Sequence, residues 1–242
     1  MANHHLSRRG SAMLLAGALA STLLTARTTH AAEDQIYTFF RAEELGYRIG
    51  DGNSFNWDAE GWIGGDDHKL WFKTEGERVN GNGVENAEVQ LLYGRLIADF
   101  WDLQVGLRHD FKPEPERSFA VIGVEGLAPY WFEIDASAFV SDQGDVSARF
   151  KAEYDLLLTQ KLILSPLLEM NLAASSDEKR GVGSGLNDLE LNLILRYEVV
   201  REFAPYIGVS WERKYGQTAD FAHAEGEAIE RTAFMAGIRF WF

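Results

Sequence analysis

Apolar and polar side chains alternate with period two along most of this chain. Between Asp145 and Asp155, Val146, Ala148, Phe150, Ala152 and Tyr154 fall on one face, and Ser147, Arg149, Lys151 and Glu153 on the other. Leu189, Leu191, Leu193, Leu195 and Tyr197 alternate in the same way with Glu190, Asn192, Arg196 and Glu198. Side chains of an extended strand point to opposite faces in turn, so this period predicts β-strands. Strand and turn signals place about twelve of them, near 38–49, 55–64, 69–78, 84–95, 101–111, 118–126, 130–141, 145–156, 161–173, 187–198, 204–215 and 229–242.

The links between these segments form two sets. Every second one is tight, whereas the others include Asp51-Gly52-Asn53, the Asn-Gly run at 80–83, Lys112-Pro113-Glu114-Pro115-Glu116, and two long stretches at 174–186 and 216–228. Aromatic residues gather at the strand ends. Tyr37, Phe39, Phe40, Phe100, Trp101, Tyr130, Trp131, Phe203, Tyr206, Trp241 and Phe242 are expected on the short-turn rim, and Phe55, Trp57, Phe111, Phe139, Trp211 and Tyr215 near the other. The final segment alternates Phe234, Ala236, Ile238, Phe240 and Phe242 up to the carboxyl terminus. A soluble β-barrel or sandwich would show the same alternation with the apolar face turned inward. An even strand count, unequal loops and two aromatic belts instead favour an all-β, closed antiparallel transmembrane barrel of about twelve strands, its apolar face toward lipid and both termini at the short-turn rim. Closure is required, because an open sheet edge in hydrocarbon leaves unpaired backbone groups.

The first thirty residues differ from the rest. Arg8 and Arg9 precede an uncharged apolar stretch from Met13 to Leu24, and Thr29-His30-Ala31 supplies small residues for cleavage, so residues 1–31 read as an export signal and 32–242 as the barrel. Removing the signal takes away Arg8, Arg9 and Arg27 and no acid. The remaining chain then carries 20 basic and 37 acidic side chains, a formal charge of −17. That balance argues against nucleic acid as a partner. Cysteine is absent, which excludes disulfides and thiolate chemistry; a metal must find His, Met, Asp or Glu.

With the apolar parity outside, the interior is expected to hold Glu60, Lys73, Glu75, Glu88, Asp102, Arg149, Lys151, Glu153, Glu169, Arg196 and Arg239. Such long side chains would pair across a modest bore and leave it narrow or shut, unlike a wide general porin. Carboxylates outnumber cations on this face, so the lumen should attract cations, divalent metals included. Specific ligands are thinly signalled. Asp66, Asp67 and His68 sit in one tight turn and suit a weak Cu(II) contact, although charged turn residues ordinarily serve solvation. His109 shares the parity of Leu103, Val105 and Leu107 and is expected at the lipid boundary; His223 falls in a long loop; Met235 is the thioether of luminal parity. No serine can be matched to His109 from the sequence, so a lipid hydrolase, the enzymatic alternative, is not assembled and the chain reads as a non-enzyme.

Several stretches resemble the outer-membrane copper resistance protein B family. They are Leu45-Gly46-Tyr47-Arg48-Ile49-Gly50-Asp51-Gly52, Asn56-Trp57-Asp58-Ala59-Glu60-Gly61-Trp62-Ile63-Gly64-Gly65-Asp66, Lys73-Thr74-Glu75-Gly76-Glu77, Gly126 to Glu133, Asp145 to Glu169, and Trp211 to Gly216. The resemblance implies an outer-membrane barrel engaged in copper tolerance by binding copper ions or moving them, with the lipid bilayer, copper and periplasmic copper resistance proteins as partners. Members commonly carry a Met- and His-rich segment ahead of the barrel, whereas here Ala32 to Ile36 alone are expected between the cleavage point and the first strand. Any copper ligands would then be the carboxylates together with Asp66, Asp67, His68, His109 and Met235. A narrow cation-preferring channel for another solute is the other reading.

Overall fold

A computed structural model of the chain describes residues 35–242, so the expected export signal lies outside the described residues. Within them the strands are β1 (Tyr37–Gly50), β2 (Ser54–Gly64), β3 (His68–Val79), β4 (Gly83–Ala98), β5 (Trp101–Lys112), β6 (Arg117–Ala128), β7 (Phe132–Ser141), β8 (Val146–Tyr154), β9 (Leu156–Leu157), β10 (Leu162–Ala173), β11 (Gly185–Tyr197), β12 (Phe203–Lys214) and β13 (Glu230–Trp241). The two-residue β9 prolongs β8 beyond Asp155 and pairs with the same neighbour, β10. Twelve antiparallel staves result. Each pairs with the next, and β1 pairs with β13 to close the cylinder. Among the described residues no stave is left without a neighbour on either side, as hydrocarbon demands.

Burial follows the expected inversion. Leu107 is 67% exposed, Ile207 61% and Phe234 71%, whereas Glu88 and Asp110 are 2% exposed and Gln104 1%. The greasy parity faces out and the charged parity in, as in barrels that stand in a bilayer. Both described ends of the chain lie on one rim, where Phe40 and Phe242 exchange backbone hydrogen bonds of 3.0 Å. That rim carries the short turns. Phe100, Tyr130 and Trp131 adopt positive φ (67°, 69° and 68°) there, a conformation disfavoured for residues with a Cβ. Their rings are 70–83% exposed, where an interfacial aromatic belt would lie, and anchoring there offsets the backbone strain.

Three expectations need correction. The loop asymmetry rests on two connections, because residues 51–53, 80–82, 113–116 and 142–145 are as brief as the opposite turns, whereas 174–184 and 215–229 are long. The second long connection holds helix α1 (Gly216–Glu225), closed by Gly226 at φ 77°, whose N–H donates to carbonyls of the last turn. Finally, Phe39, Phe139 and Tyr206 belong to the interior rather than to the belts. Phe139 is 1% exposed and packs with Trp71, Leu92 and Val121, with Trp62 and Phe119 against them. Phe39 stacks on Trp62 at 6.0 Å. Tyr206 is 4% exposed over Gly46 and Gly237, where a Cβ added to either glycine would come within 2.5 Å of its hydroxyl.

Candidate functional site

The lumen is the candidate site, and its contents follow from alternation with one interruption. In β1 the register shifts between Ala42 and Glu44, leaving Glu43 as a bulged residue without a partner on β2. The bulge brings Arg41 and Glu43 inside as well as Glu44. Arg41 contacts Glu43 and reaches Glu60 at 2.9 Å and, on the opposite stave β7, Glu133 at 3.3 Å. Glu43 also receives Arg239 at 2.7 Å. Sequence alternation missed Arg41 and Glu43; the adjacent acids Glu43-Glu44, one of which had to break parity, were the available signal.

At mid-height β8 sends two cations across the bore. Lys151 Nζ lies 2.8 Å from Glu75, 3.2 Å from Asp58 and 3.3 Å from Glu169. Arg149 reaches Glu88 at 2.9 Å, Glu75 at 3.2 Å and Glu169 at 3.4 Å. Glu88 also takes Arg108 at 2.7 Å. Since β2 and β8 are six staves apart in a ring of twelve, the Lys151–Asp58 pair spans the diameter. Aromatic faces cradle some of these cations, with Arg108 4.7 Å from the Phe139 ring centre and Lys73 5.6 Å from that of Trp71. These rings share parity with the luminal charges, so their position was visible in the alternation; their apolarity concealed it.

Two cavities flank this layer. The one on the short-turn side has about 750 Å3 and runs from Asp99 and Phe100 to Asp58 and Lys151. Nine carboxylates line it (Glu43, Asp58, Glu60, Asp99, Asp102, Glu125, Glu133, Asp135, Glu153) with three cations, Arg41, Lys69 and Lys151; Lys73, Arg196 and Arg239, paired with five of these carboxylates, bring the cations to six. The other, about 620 Å3, runs from Pro113 and Glu114 down to Arg108 and Arg149. The long connections fold over it. Thr218 Oγ1 accepts from Gly183 N–H at 2.9 Å, Arg180 reaches Asp110 at 2.7 Å, and Arg117 binds Asp177. Beside them Lys214, the last residue of β12, donates to Glu227 in the connection that follows at 2.8 Å and holds that carboxyl below its usual range.

The five candidate ligands are dispersed. Asp66 and Asp67 are exposed on the short-turn rim, and His68 is turned outward, its Nδ1 2.6 Å from the Tyr93 hydroxyl. His109 is on the outer face at the other rim, as expected from its parity, and Met235 is 2% exposed on the luminal parity of β13. Among the described residues no three His, Asp or Glu side chains are gathered ready to hold a metal ion. His109 does have a serine after all: Ser118 is its cross-strand partner, with Oγ 2.9 Å from Nδ1. Its other nitrogen is 3.7 Å from the exposed Glu116, too far for a hydrogen bond, so among the described residues Glu116 does not orient the imidazole as a third group of an acyl-transfer site would.

Comparison with known proteins assigns the lineage. The profile described as "Copper resistance protein B precursor (CopB)" matches residues 36–242. The chain belongs to the copper resistance protein B family. Copper resistance protein B of Escherichia coli is 51% identical over 190 residues, 78% of this chain and 64% of the relative. The chain thus spans just under two thirds of that relative's length. The Copper resistance protein B homolog of Pseudomonas syringae pv. tomato is 42% identical over 224 residues, 92% of this chain and 76% of the relative. Among solved structures, the NanC porin superposes with a TM-score of 0.55 at 14% identity, covering 84% of this chain and 99% of the porin. That likeness concerns the fold: a porin-like barrel of the outer-membrane type.

Proposed function

We propose that this copper resistance protein B relative stands in the outer membrane and contributes to copper tolerance by admitting copper ions to its lumen, without catalysing a reaction. The observation that carries this reading is the cavity on the short-turn side, whose nine carboxylates outnumber the six cations that line it or pair with those carboxylates. A low-dielectric wall around such an excess concentrates cations at the mouth, and oxygen donors exchange a borderline divalent ion readily. His68 with its neighbours Asp66 and Asp67 forms a weak capture point at that rim, His109 one at the opposite rim, and Met235 is the soft donor inside. Periplasmic copper resistance proteins are the partners that would meet the short-turn rim.

The test is growth of a copper-sensitive outer-membrane host in graded copper, with and without the chain. Wild type restores tolerance, and Asp99→Asn/Glu133→Gln, which lowers the charge of the cavity at exposed positions, restores less of it. No gain from the wild-type chain refutes the reading. The dispersal of the imidazoles favours one rival, a narrow channel for another cation; equal planar-bilayer currents with copper and sodium would support it.

A further inference from the structure

We infer that Arg149 and Lys151 are the residues that close this barrel, acting as tethered counter-ions that a passing cation must displace. This deepens the proposed admission of copper and rests on it for the identity of the cargo, though not for the closure itself.

Three observations converge on the pair. Each cavity extends toward its own rim, and their inner ends are formed by two residues on one face of β8: Arg149 ends the long-loop cavity and Lys151 the short-turn cavity. The short-turn cavity continues past the Arg41–Glu133 contact as far as Lys151, so that outer crossing does not divide it. The partners of the pair come from distant staves. Asp58 is on β2, Glu75 on β3 and Glu88 on β4, while β8 supplies both cations, so these contacts draw opposite walls together. Contacts between neighbouring staves would neutralise charge without blocking anything; these bonds cross the bore and, unlike the Arg41–Glu133 contact, stand where the two cavities end.

The chemistry of the layer also sets its preference. If the two cations are withdrawn, Asp58, Glu75 and Glu169 remain around the constriction without a cation of this layer, and Glu88 stays paired with Arg108, so the layer keeps the carboxylate excess that selects cations in channels. An anion gains nothing by displacing Arg149 or Lys151, because it would meet the carboxylates they leave behind. A cation can take over those carboxylates while the side chains swing aside. The two basic residues therefore determine both closure and the sign of the charge that can pass.

Planar-bilayer recording of the refolded full chain in sodium chloride tests this. Wild type stays near leak level. Arg149→Gln/Lys151→Gln opens steps larger by roughly an order of magnitude, with a cation-selective reversal potential in a salt gradient. Arg149→Lys/Lys151→Arg, which exchanges the two cations in place, remains shut. Heat-modifiable gel mobility verifies folding of each variant; should the double Gln variant fail it, Lys151→Met alone breaks the diametric pair and gives a smaller opening. A folded variant without these cations that is as tight as wild type overturns the inference, as does an opened variant that prefers chloride. Copper tolerance is scored separately: its absence would defeat the proposed function and leave the bilayer result standing.

Discussion

Placing a cation on the outer face of β11 tests the inversion on which everything else depends. Leu193 is 49% exposed on the apolar parity and pairs with Val209 and Pro166 on the flanking strands. Tyr197, on the same face, ends the strand at the short-turn rim and is 50% exposed. Four residues separate them, about 13 Å along the strand and about 10 Å along the membrane normal at a tilt of about 40°. With an apolar band about 25 Å tall, Leu193 lies close to the midplane and Tyr197 at the interface. Leu193→Arg should therefore cost about 2–4 kcal/mol of folding free energy, a shift of roughly thirtyfold to nearly a thousandfold in the folding equilibrium. Tyr197→Arg should cost about 0–1 kcal/mol, since an interfacial Arg can snorkel to water. Equilibrium unfolding in guanidinium chloride from lipid vesicles reads both. The two positions have nearly equal exposure, so a water-facing exterior would give both substitutions the same small effect. Equal costs at the two sites would refute the lipid-facing assignment.

The interior yields its own predictions. Glu88, 2% exposed, is shared by Arg108 and Arg149, so Glu88→Ala should destabilise the barrel by about 3–5 kcal/mol in the same assay, by leaving two guanidinium groups short of a partner. Gly237→Ala would push a Cβ to 2.5 Å from the Tyr206 hydroxyl and 2.6 Å from the Leu45 carbonyl, costing about 1–3 kcal/mol; wild-type stability there would show that the wall is looser than described. In copper titrations followed by Trp fluorescence, His68→Ala should remove a weak phase and leave the luminal response intact, and an unchanged weak phase would exclude His68 as a capture point. A disulfide between Ser184→Cys and Gln217→Cys, clean because the chain has no cysteine, should fasten the long connections together and reduce the currents of the Gln variant until reduced.

Much of the fold was legible because one physical rule governs it. A strand between lipid and a polar lumen must alternate, and all twelve staves came out within a few residues of their expected bounds, as with Phe203–Lys214 against 204–215. The misplaced aromatics share a cause, the equation of apolar with lipid-facing. Phe139 and Tyr206 sit at luminal parity, yet their rings alone suggested the belts. Inside, aromatic faces accept Arg and Lys, as Arg108 does over Phe119 at 5.2 Å, so a charged lumen has use for them. The bulge at Glu43 and the contacts of Arg180 lay beyond alternation altogether. One depends on a local register shift and the other on a long connection folding back over the mouth, and neither leaves a periodic trace.

The two closures differ in kind, and the difference bears on what can pass. Over the long-loop mouth the connections are held by a few buried contacts, Thr218 with Gly183, Arg180 with Asp110 and Arg117 with Asp177, each of which has at least one partner on a connection rather than on a strand. At mid-height the pairs bridge rigid strands, and removing one partner from such a buried network leaves a charge without compensation. Loop movement can therefore open the mouth to many solutes. On the inferred closure the inner layer would yield to a species that replaces the charge it displaces, so selection would fall there: a small cation can satisfy the carboxylates of β2, β3, β4 and β10, and a neutral sugar or an anion cannot. With the closure inferred for Arg149 and Lys151, such a barrel would admit ions one exchange at a time, which fits the proposed role in metal tolerance better than bulk uptake.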